Sequence, residues 1–437
     1  MGTLGIILAI ALIVYMSMKG FSIVFIAPVA SIIVILTNGM DFFPSLIGKE
    51  ASFMTGLTGF IVNFFAIFLL GAILAQYIEK SGAAQAIAQK VLSITGTQKP
   101  FSVLVAIFLI SAILTYGGIS LFVVLFVVIP LAKPLFQQLN IAWNLIVIPV
   151  FLGIGTFTMT MLPGTPSIQN VVPTKYLGTQ LTAAPLIGVV ATVVAIVAGI
   201  WYMRFALNKS LKNKEVFQLD GKANDKQIEL KENIPSFFLS IFPILVLMVI
   251  IFVGSAMKVE NIVLVGLGAA VIISAIVFHK YIPSHKEAVS LGANGSIMPI
   301  FFTSASVAFG VVITLAPGFQ AISDFILGIP GNPLISLTIA STALGAITGS
   351  ASGGLGIAME AFAQSYLAMG VNPDAMHRIS AIASSIFTGL PHSGAVLSLF
   401  ALTGLTHKNG FKYAFIIMTV PNLLALIAAL IIGISLY

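Results

Sequence analysis

Two groups of hydroxyl- and amide-bearing residues interrupt a chain that is otherwise poor in polar side chains. Thr115, Ser120, Thr158, Thr160, Thr165, Ser167 and Asn170 form the first, and Thr348, Ser350, Ser352, Thr388, His392 and Ser393 the second. Each group is interleaved with glycine and proline: Gly117, Gly118, Pro163, Gly164 and Pro166 in the first, Gly353, Gly354, Gly389 and Pro391 in the second. A helix cannot run unbroken through Pro163-Gly164-Thr165-Pro166, because proline lacks an N–H and clashes with the preceding turn. A broken helix exposes an N-terminus, which favours anions, and a C-terminus, whose carbonyls favour cations. Hydroxyls and amides add ligands for carboxylate and hydroxyl groups without a permanent buried charge. The residues that read as contacts for a small organic anion are therefore Thr115, Gly117, Gly118, Ser120, Pro163, Gly164, Thr165, Ser167, Asn170, Ser350, Ser352, Gly353, Thr388, Pro391, His392 and Ser393. A plainer reading competes for each of them, since Ser, Thr and Gly also permit close helix packing. The two groups, each spanning a hairpin tip and a helix break, together favour a solute site.

Two ionisable residues are candidates for binding a coupling ion. Glu360 is the acidic residue inside an apolar arm, where a buried acid is a functional residue by default; the alternatives are water at an outer mouth, or a pair with Arg378. His392 follows Pro391 and can carry a proton, meet a substrate carboxylate or donate to a freed carbonyl. His279, His285 and His407 fall at loop ends and read as solvated. Carbonyl and hydroxyl ligands suit Na⁺ while Glu360 or His392 suits H⁺, so both coupling ions stay open. No P-loop, HExxH, GxSxG or metal-ligand cluster is present. The sequence thus predicts no enzyme, no catalytic residue, no cofactor and no metal.

These residues must be positioned by membrane helices. The 437 residues are 59% hydrophobic and 8% charged, against roughly 25% charged in ordinary soluble domains. That composition cannot build a water-soluble surface, so the bilayer is the expected partner. Nucleic acid is not, because the basic residues form no stripe. The absence of cysteine removes disulfides and thiolate chemistry. Thr3–Met18 lacks basic residues before it and a cleavage site after it, and reads as a retained span.

Apolar stretches of spanning length fall at 3–18, 21–38, 57–78, 183–203, 237–253, 262–278, 297–316 and 413–434. Two further stretches, 143–177 and the one beginning at Ala375, contain the Pro/Gly breaks. Ser81–Ile94 reads as an interfacial helix. Apolar runs 101–131 and 334–366 are interrupted at Thr115–Ser120 and Thr348–Gly354, and each reads as a helical hairpin that enters and leaves on one side. Residues 204–233 carry seven Lys/Arg and five Asp/Glu and form a soluble linker. With hairpins, the topology puts 16 of the 20 Lys and Arg inside and Lys49, Lys175, Lys258 and Arg378 outside, as the positive-inside rule requires. Full crossings would split the basic residues between the two sides.

The expected fold is an all-α polytopic membrane protein, an inverted-repeat transporter with about ten transmembrane helices, two re-entrant hairpins and two broken helices. Its parts are an N-terminal transmembrane repeat (1–203), a cytoplasmic linker (204–235) and a C-terminal inverted repeat (236–437), with both termini outside. Repeats with broken helices mark transporters with a midplane site. The main competing function is a cation/proton antiporter with no organic substrate, which usually needs a buried carboxylate pair that this chain lacks.

Met161–Ser167 (MLPGTPS) and Leu344–Gly354 (LGAITGSASGG) resemble the break and hairpin motifs of the gluconate permease family of carboxylate symporters. AILTYGGISLFVVLFVVIPL and SSIFTGLPHSG occupy that family's other two positions, and the resemblance covers nearly the whole chain. It implies a multi-pass carrier in the bacterial inner membrane that takes up an organic acid with H⁺ or Na⁺. It also implies kinship with ion-transporter folds that often dimerise, which leaves a homodimer possible. Gluconate-type members carry an acid in the first hairpin tip, whereas Thr115–Ser120 has none. The TYGGIS and LPGTPSIQN variant is similar to the branch associated with 3-hydroxybutyrate, so a short hydroxy acid is expected alongside gluconate-like acids.

Overall fold

The structure, a computed structural model, describes residues 1–119, 121–218, 231, 233–391 and 393–437. The regular structure among them is helical. In chain order the first half contains α1 (Gly2–Met18), α2 (Ile23–Thr37), the short α3 (Phe42–Ile47), α4 (Phe53–Lys80), α5 (Ala83–Thr95), α6 (Pro100–Tyr116) and α7 (Leu121–Gln138). A 3-10 turn at Trp143–Ile146 leads into α8 (Val147–Ile154), α9 (Phe157–Thr160), α10 (Ile168–Leu177) and α11 (Pro185–Lys212). The second half contains α12 (Phe237–Ala256), α13 (Ile262–Val277), α14 (His285–Leu315), α15 (Phe319–Leu327), α16 (Pro333–Thr348), α17 (Ala351–Ala368), α18 (Pro373–Ser385), α19 (Gly394–Thr403) and α20 (His407–Leu436).

Local chemistry explains most of these limits. Proline opens α6, α11, α16 and α18, where its missing N–H costs nothing. Ser52 and Thr55 form a reciprocal capping box at α4, and Asn332 and Asn372 cap α16 and α18. Each such cap satisfies backbone N–H groups that a helix start leaves unpaired. Among the described residues, α4, α11, α12, α14, α20 and the stretch Trp143–Thr160 are long and apolar enough to cross a membrane. Helices α1, α2, α6, α13, α16 and α19 are apolar but shorter.

Among the described residues, the two most extensive helix–helix contacts join the earlier part of the chain to the later one. Helices α4 and α14 pack along their length and run antiparallel. Gly56 near the start of α4 meets Ala308 and Val311 late in α14, and Gly292 early in α14 meets Ile73 late in α4. A glycine at each end lets the backbones approach, as small residues do between membrane helices. Helices α11 and α20 pair the same way, with Ile187 beside Gly433. Other contacts recur in matched order: α6 on α8 and α16 on α18, α2 on α14 and α13 on α4, α7 on α19 and α17 on α10. Large apolar side chains such as Phe25, Val62, Val197, Phe238 and Ile431 face outward, where only a lipid surface suits a patch of that extent.

The structure moves several limits expected from the sequence. Helix α14 begins at His285 rather than Ile297, and α11 runs on through Lys212, into the stretch that reads as linker. Hydropathy fails at both places because a helix does not end where its side chains turn polar. The second interruption shrinks from Thr348–Gly354 to Gly349 and Ser350. Gly349 takes a left-handed conformation (φ 60°), and the Ser350 hydroxyl accepts from the Gly353 N–H, so Ala351 onward is already helix. Arg378, counted on the outer side, lies within α18 and is fully buried.

Candidate functional site at two helix breaks

The first break separates α8 from α10 and frees a series of backbone carbonyls at buried positions. Unpaired groups there cost several kcal/mol each in hydrocarbon, and named side chains meet them one by one. Thr156 Oγ1 donates to Leu152 O at 2.6 Å, Thr158 Oγ1 to Gly153 O at 2.8 Å and Thr160 Oγ1 to Thr156 O at 3.0 Å. Ser167 Oγ donates to Met159 O. Asn170 Nδ2 donates to Thr165 O at 2.8 Å and to Leu181 O at 2.9 Å. Leu181 O also receives the Gly164 N–H at 3.0 Å. The stretch 178–184 thus folds back and props the break.

The tip between α6 and α7 leans on this break. Tyr116 Oη donates to Pro163 O at 3.0 Å. Gly118, at φ +85°, has Pro166 against it, 2.9 Å from where a Cβ would stand. Thr115 Oγ1 donates back to Ser111 O at 2.7 Å. Thr165 differs from its neighbours: its hydroxyl is fully buried and has no partner. It lies just before the N-terminus of α10, where N–H groups favour negative charge.

At the second break α18 stops at Ser385 and α19 starts at Gly394. Thr342 Oγ1 of α16 donates to Ala383 O at 3.1 Å, and Thr388 Oγ1 to Ser385 O at 2.8 Å. Gly345 brings α16 against α18 so closely that a Cβ would stand 2.0 Å from Ser384 O. Ser350 Oγ and Ser352 Oγ share a hydrogen bond at 3.3 Å, and Gly353 rests on Ser306 of α14. Ser393 is buried, and Pro391 O receives a hydrogen bond from His407 Nε2 at 3.0 Å.

Helix α20 joins the breaks. Asn422 Nδ2 lies 3.3 Å from Gly155 O at the first and 3.4 Å from Ser385 Oγ at the second. Its own Oδ1 is buried without a partner. One turn earlier, Met418 fits between Gly155 and Gly389.

A second junction has no counterpart in the sequence reading. Arg378 is the largest fully buried side chain, and all its donors point at the first break. Nε donates to Ala183 O at 3.2 Å; Nη1 to Thr160 O at 3.1 Å and Asn170 Oδ1 at 2.9 Å; Nη2 to Leu181 O at 3.1 Å and Ala183 O at 3.0 Å. These five bonds use all five N–H groups, and every acceptor is neutral. Among the described residues the ion pair within reach of a salt bridge is Lys80 with Glu287, at 3.4 Å, so Arg378 has no carboxylate partner. The adjacent His377 is equally buried, with Nε2 2.9 Å from Asn170 Oδ1 and Nδ1 2.7 Å from Thr179 Oγ1. The signal for both was present in Asn372-Pro373-Asp374, a cap that starts a helix and places positions 377 and 378 inside it.

Glu360 is half-buried on α17 and faces Tyr176 of α10; it does not pair with Arg378. Ser120 and His392 lie outside the described residues. His279 and His285 are not simply solvated: their rings stack 5.2 Å apart, and His285 Nδ1 lies 3.2 Å from the Tyr77 hydroxyl. Among the described residues no cluster of His, Cys, Asp or Glu could hold a metal ion.

Known proteins match this chain along its length. The profile described as GntP family permease matches residues 1–435. An uncharacterized transporter, YxjC of Bacillus subtilis (strain 168), is 34% identical, over 95% of this chain and 96% of its own length. Among solved structures, the YdaH transporter of Alcanivorax borkumensis, described as having an unusual topology, superposes with a TM-score of 0.58 at 14% identity. That match covers 99% of this chain and 98% of the YdaH chain, and at such identity it speaks for the fold alone.

Proposed function

The chain belongs to the GntP permease family, a multi-pass membrane transporter and not an enzyme, and from that premise we propose that it is a cation-coupled symporter for a small organic acid anion. The substrate class is a hydroxycarboxylate such as 3-hydroxybutyrate or a gluconate-like acid. The observation that carries the anion reading is Arg378: a buried positive charge, set against the first break, with no acid to neutralise it. Its N–H groups are spent on backbone and Asn170, so it acts on a solute through its field and not as a direct ligand. The free Thr165 hydroxyl and the N-terminus of α10 supply contacts of matching sign.

The proposed architecture is two inverted halves, 1–203 and 236–437, joined by a cytoplasmic linker, with ten spans, two re-entrant hairpins at α6–α7 and α16–α17, and both termini outside. The antiparallel pairing of α4 with α14 and of α11 with α20 supports it. An antiporter would need a buried acid pair. Among the described residues no Asp or Glu is fully buried, which weighs against that function.

The test is counterflow in proteoliposomes against short hydroxy acids, sugar acids and dicarboxylates. Saturable exchange of a hydroxy acid is expected. If no organic anion exchanged while cation gradients alone drove proton movement, the symporter reading would fall.

A further inference from the structure

We propose that His377 is the residue that binds the coupling proton, and that the substrate carboxylate is what permits it to do so. This rests on the symporter reading above and chooses H⁺ within it.

The hydrogen bonds define the protonation state of the ring. Asn170 Nδ2 spends both hydrogens on Thr165 O and Leu181 O, so Asn170 Oδ1 is the atom facing His377 and Arg378. An amide oxygen only accepts, so His377 Nε2, at 2.9 Å from it, carries a hydrogen. In the neutral ring Nδ1 then accepts from the Thr179 hydroxyl at 2.7 Å. Adding a proton at Nδ1 breaks none of these contacts: the Thr179 hydroxyl turns from donor to acceptor, and the pair stays bonded.

The opposing influences are burial, which penalises any charge on the ring, and the charge already beside it. Arg378 is the next residue, and a second positive charge beside it in a buried setting is strongly disfavoured. The acid nearest in sequence gives only relief that water screens. Asp374, in the first turn of α18, is exposed. From α10 and the loop after it come neutral Asn170 and Thr179; Tyr176 of α10 faces Glu360 of α17. Tyr366 of α17 is bonded to Ser336 of α16 at 2.8 Å, and α16 has no titratable side chain. Tyr116 is bonded to Pro163 O, α9 and the opening turns of α11 carry none, and the titratable groups of α20 lie in its opening turns apart from Tyr437.

A carboxylate in the first break supplies the missing negative charge. The break reaches His377 through one residue, since Asn170 bonds to both Thr165 O and the imidazole. With the anion bound, the two positive groups face one negative group and the imidazolium becomes tolerable. Coupling of this kind is reciprocal, so the proton raises anion affinity by the same factor that the anion raises proton affinity. A proton from the outer water passes by Thr179, which is 9% exposed, and forms the N–H bond at Nδ1. When the carboxylate leaves on the inner side, repulsion from Arg378 breaks that bond and the proton follows. One proton crosses per carboxylate, and nothing is oxidised or reduced.

The experiment compares wild type with His377→Gln in proteoliposomes, using radiolabelled 3-hydroxybutyrate and gluconate as probes. Glutamine keeps a donor for Asn170 and an acceptor for Thr179 but does not titrate. Wild type should accumulate the probe at least tenfold under an inward proton gradient; His377→Gln should keep counterflow but lose accumulation. Gradient-driven accumulation in His377→Gln, or a wild type driven by Na⁺ alone, would overturn the assignment. Failure of all counterflow in wild type would instead remove the symporter reading. If the variant does not fold, ¹⁵N-histidine spectra of wild type decide: the probe should convert one buried, unprotonated Nδ1 to N–H, and no change on saturation would refute the proposal.

Discussion

Most of the hydroxyls that look like ligands in the sequence are occupied in the structure. Thr115, Thr388, Ser167 and the amide of Asn170 repair backbone exposed by the breaks, whereas Thr165 has a buried hydroxyl with nothing to bond. The two kinds should respond differently to mutation. Thr165→Val removes no existing hydrogen bond, so it should leave the detergent melting temperature within a degree or two while raising KM about tenfold, the worth of roughly one hydrogen bond to a charged group. Asn170→Ala leaves the Thr165 carbonyl, one arginine N–H and one histidine N–H short of partners, while Leu181 O keeps Gly164 N–H and Arg378 Nη2. At about 1–3 kcal/mol for each unsatisfied group, it should lower folded yield sharply before any transport is measured. Arg378→Lys keeps the charge with fewer donors and should retain more anion affinity than Arg378→Gln; equal KM values for the two would show that the field of Arg378 does not act on the solute. Amino-acid type suggests a hydroxyl as ligand, but only its neighbours reveal whether it is already committed.

At the scale of elements, each helix–turn–helix pair is held to its neighbours by glycine. Gly345→Ala should force α16 away from α18, because its Cβ would stand 2.0 Å from the Ser384 carbonyl, which belongs to backbone and cannot swing aside. Gly59→Ala and Gly268→Ala meet nothing within 4 Å and should match or exceed wild-type stability, since alanine favours helix by about 1 kcal/mol. Size-exclusion profiles after heating will separate the three. The half-helix 168–177 was fully legible, bounded by Ser167 and Gly178. The second interruption was not, because a glycine-rich run reads as loop until a serine cap is seen to start a helix within it.

For the whole molecule the proposed topology has a sharper charge count than the sequence suggests. Arg378 is buried, so the outer loops keep Lys49, Lys175 and Lys258, and the contrast with the cytoplasmic side grows. Lys133→Cys should react with a membrane-impermeant maleimide only from the cytoplasmic side, and Lys49→Cys only from outside. External labelling of Lys133→Cys would mean that α6 and α7 together cross the membrane and would remove the first hairpin. Composition alone determined that this chain lives in a membrane, because 8% charged residues cannot cover a folded surface in water. Proline and glycine marked the break at Pro163–Pro166, because that constraint is local to the backbone, whereas Pro28, Pro243, Pro299 and Pro421 sit inside helices that run on. Tertiary structure decided what the breaks rest on. Tyr116, Arg378 and Asn422 reach carbonyls that lie 47 to 267 residues away, and Asn170 meets His377 across 207 residues. No local pattern encodes such pairings, because a hydrogen bond depends on distance in space, and the packing of α18 and α20 against the first break sets that distance.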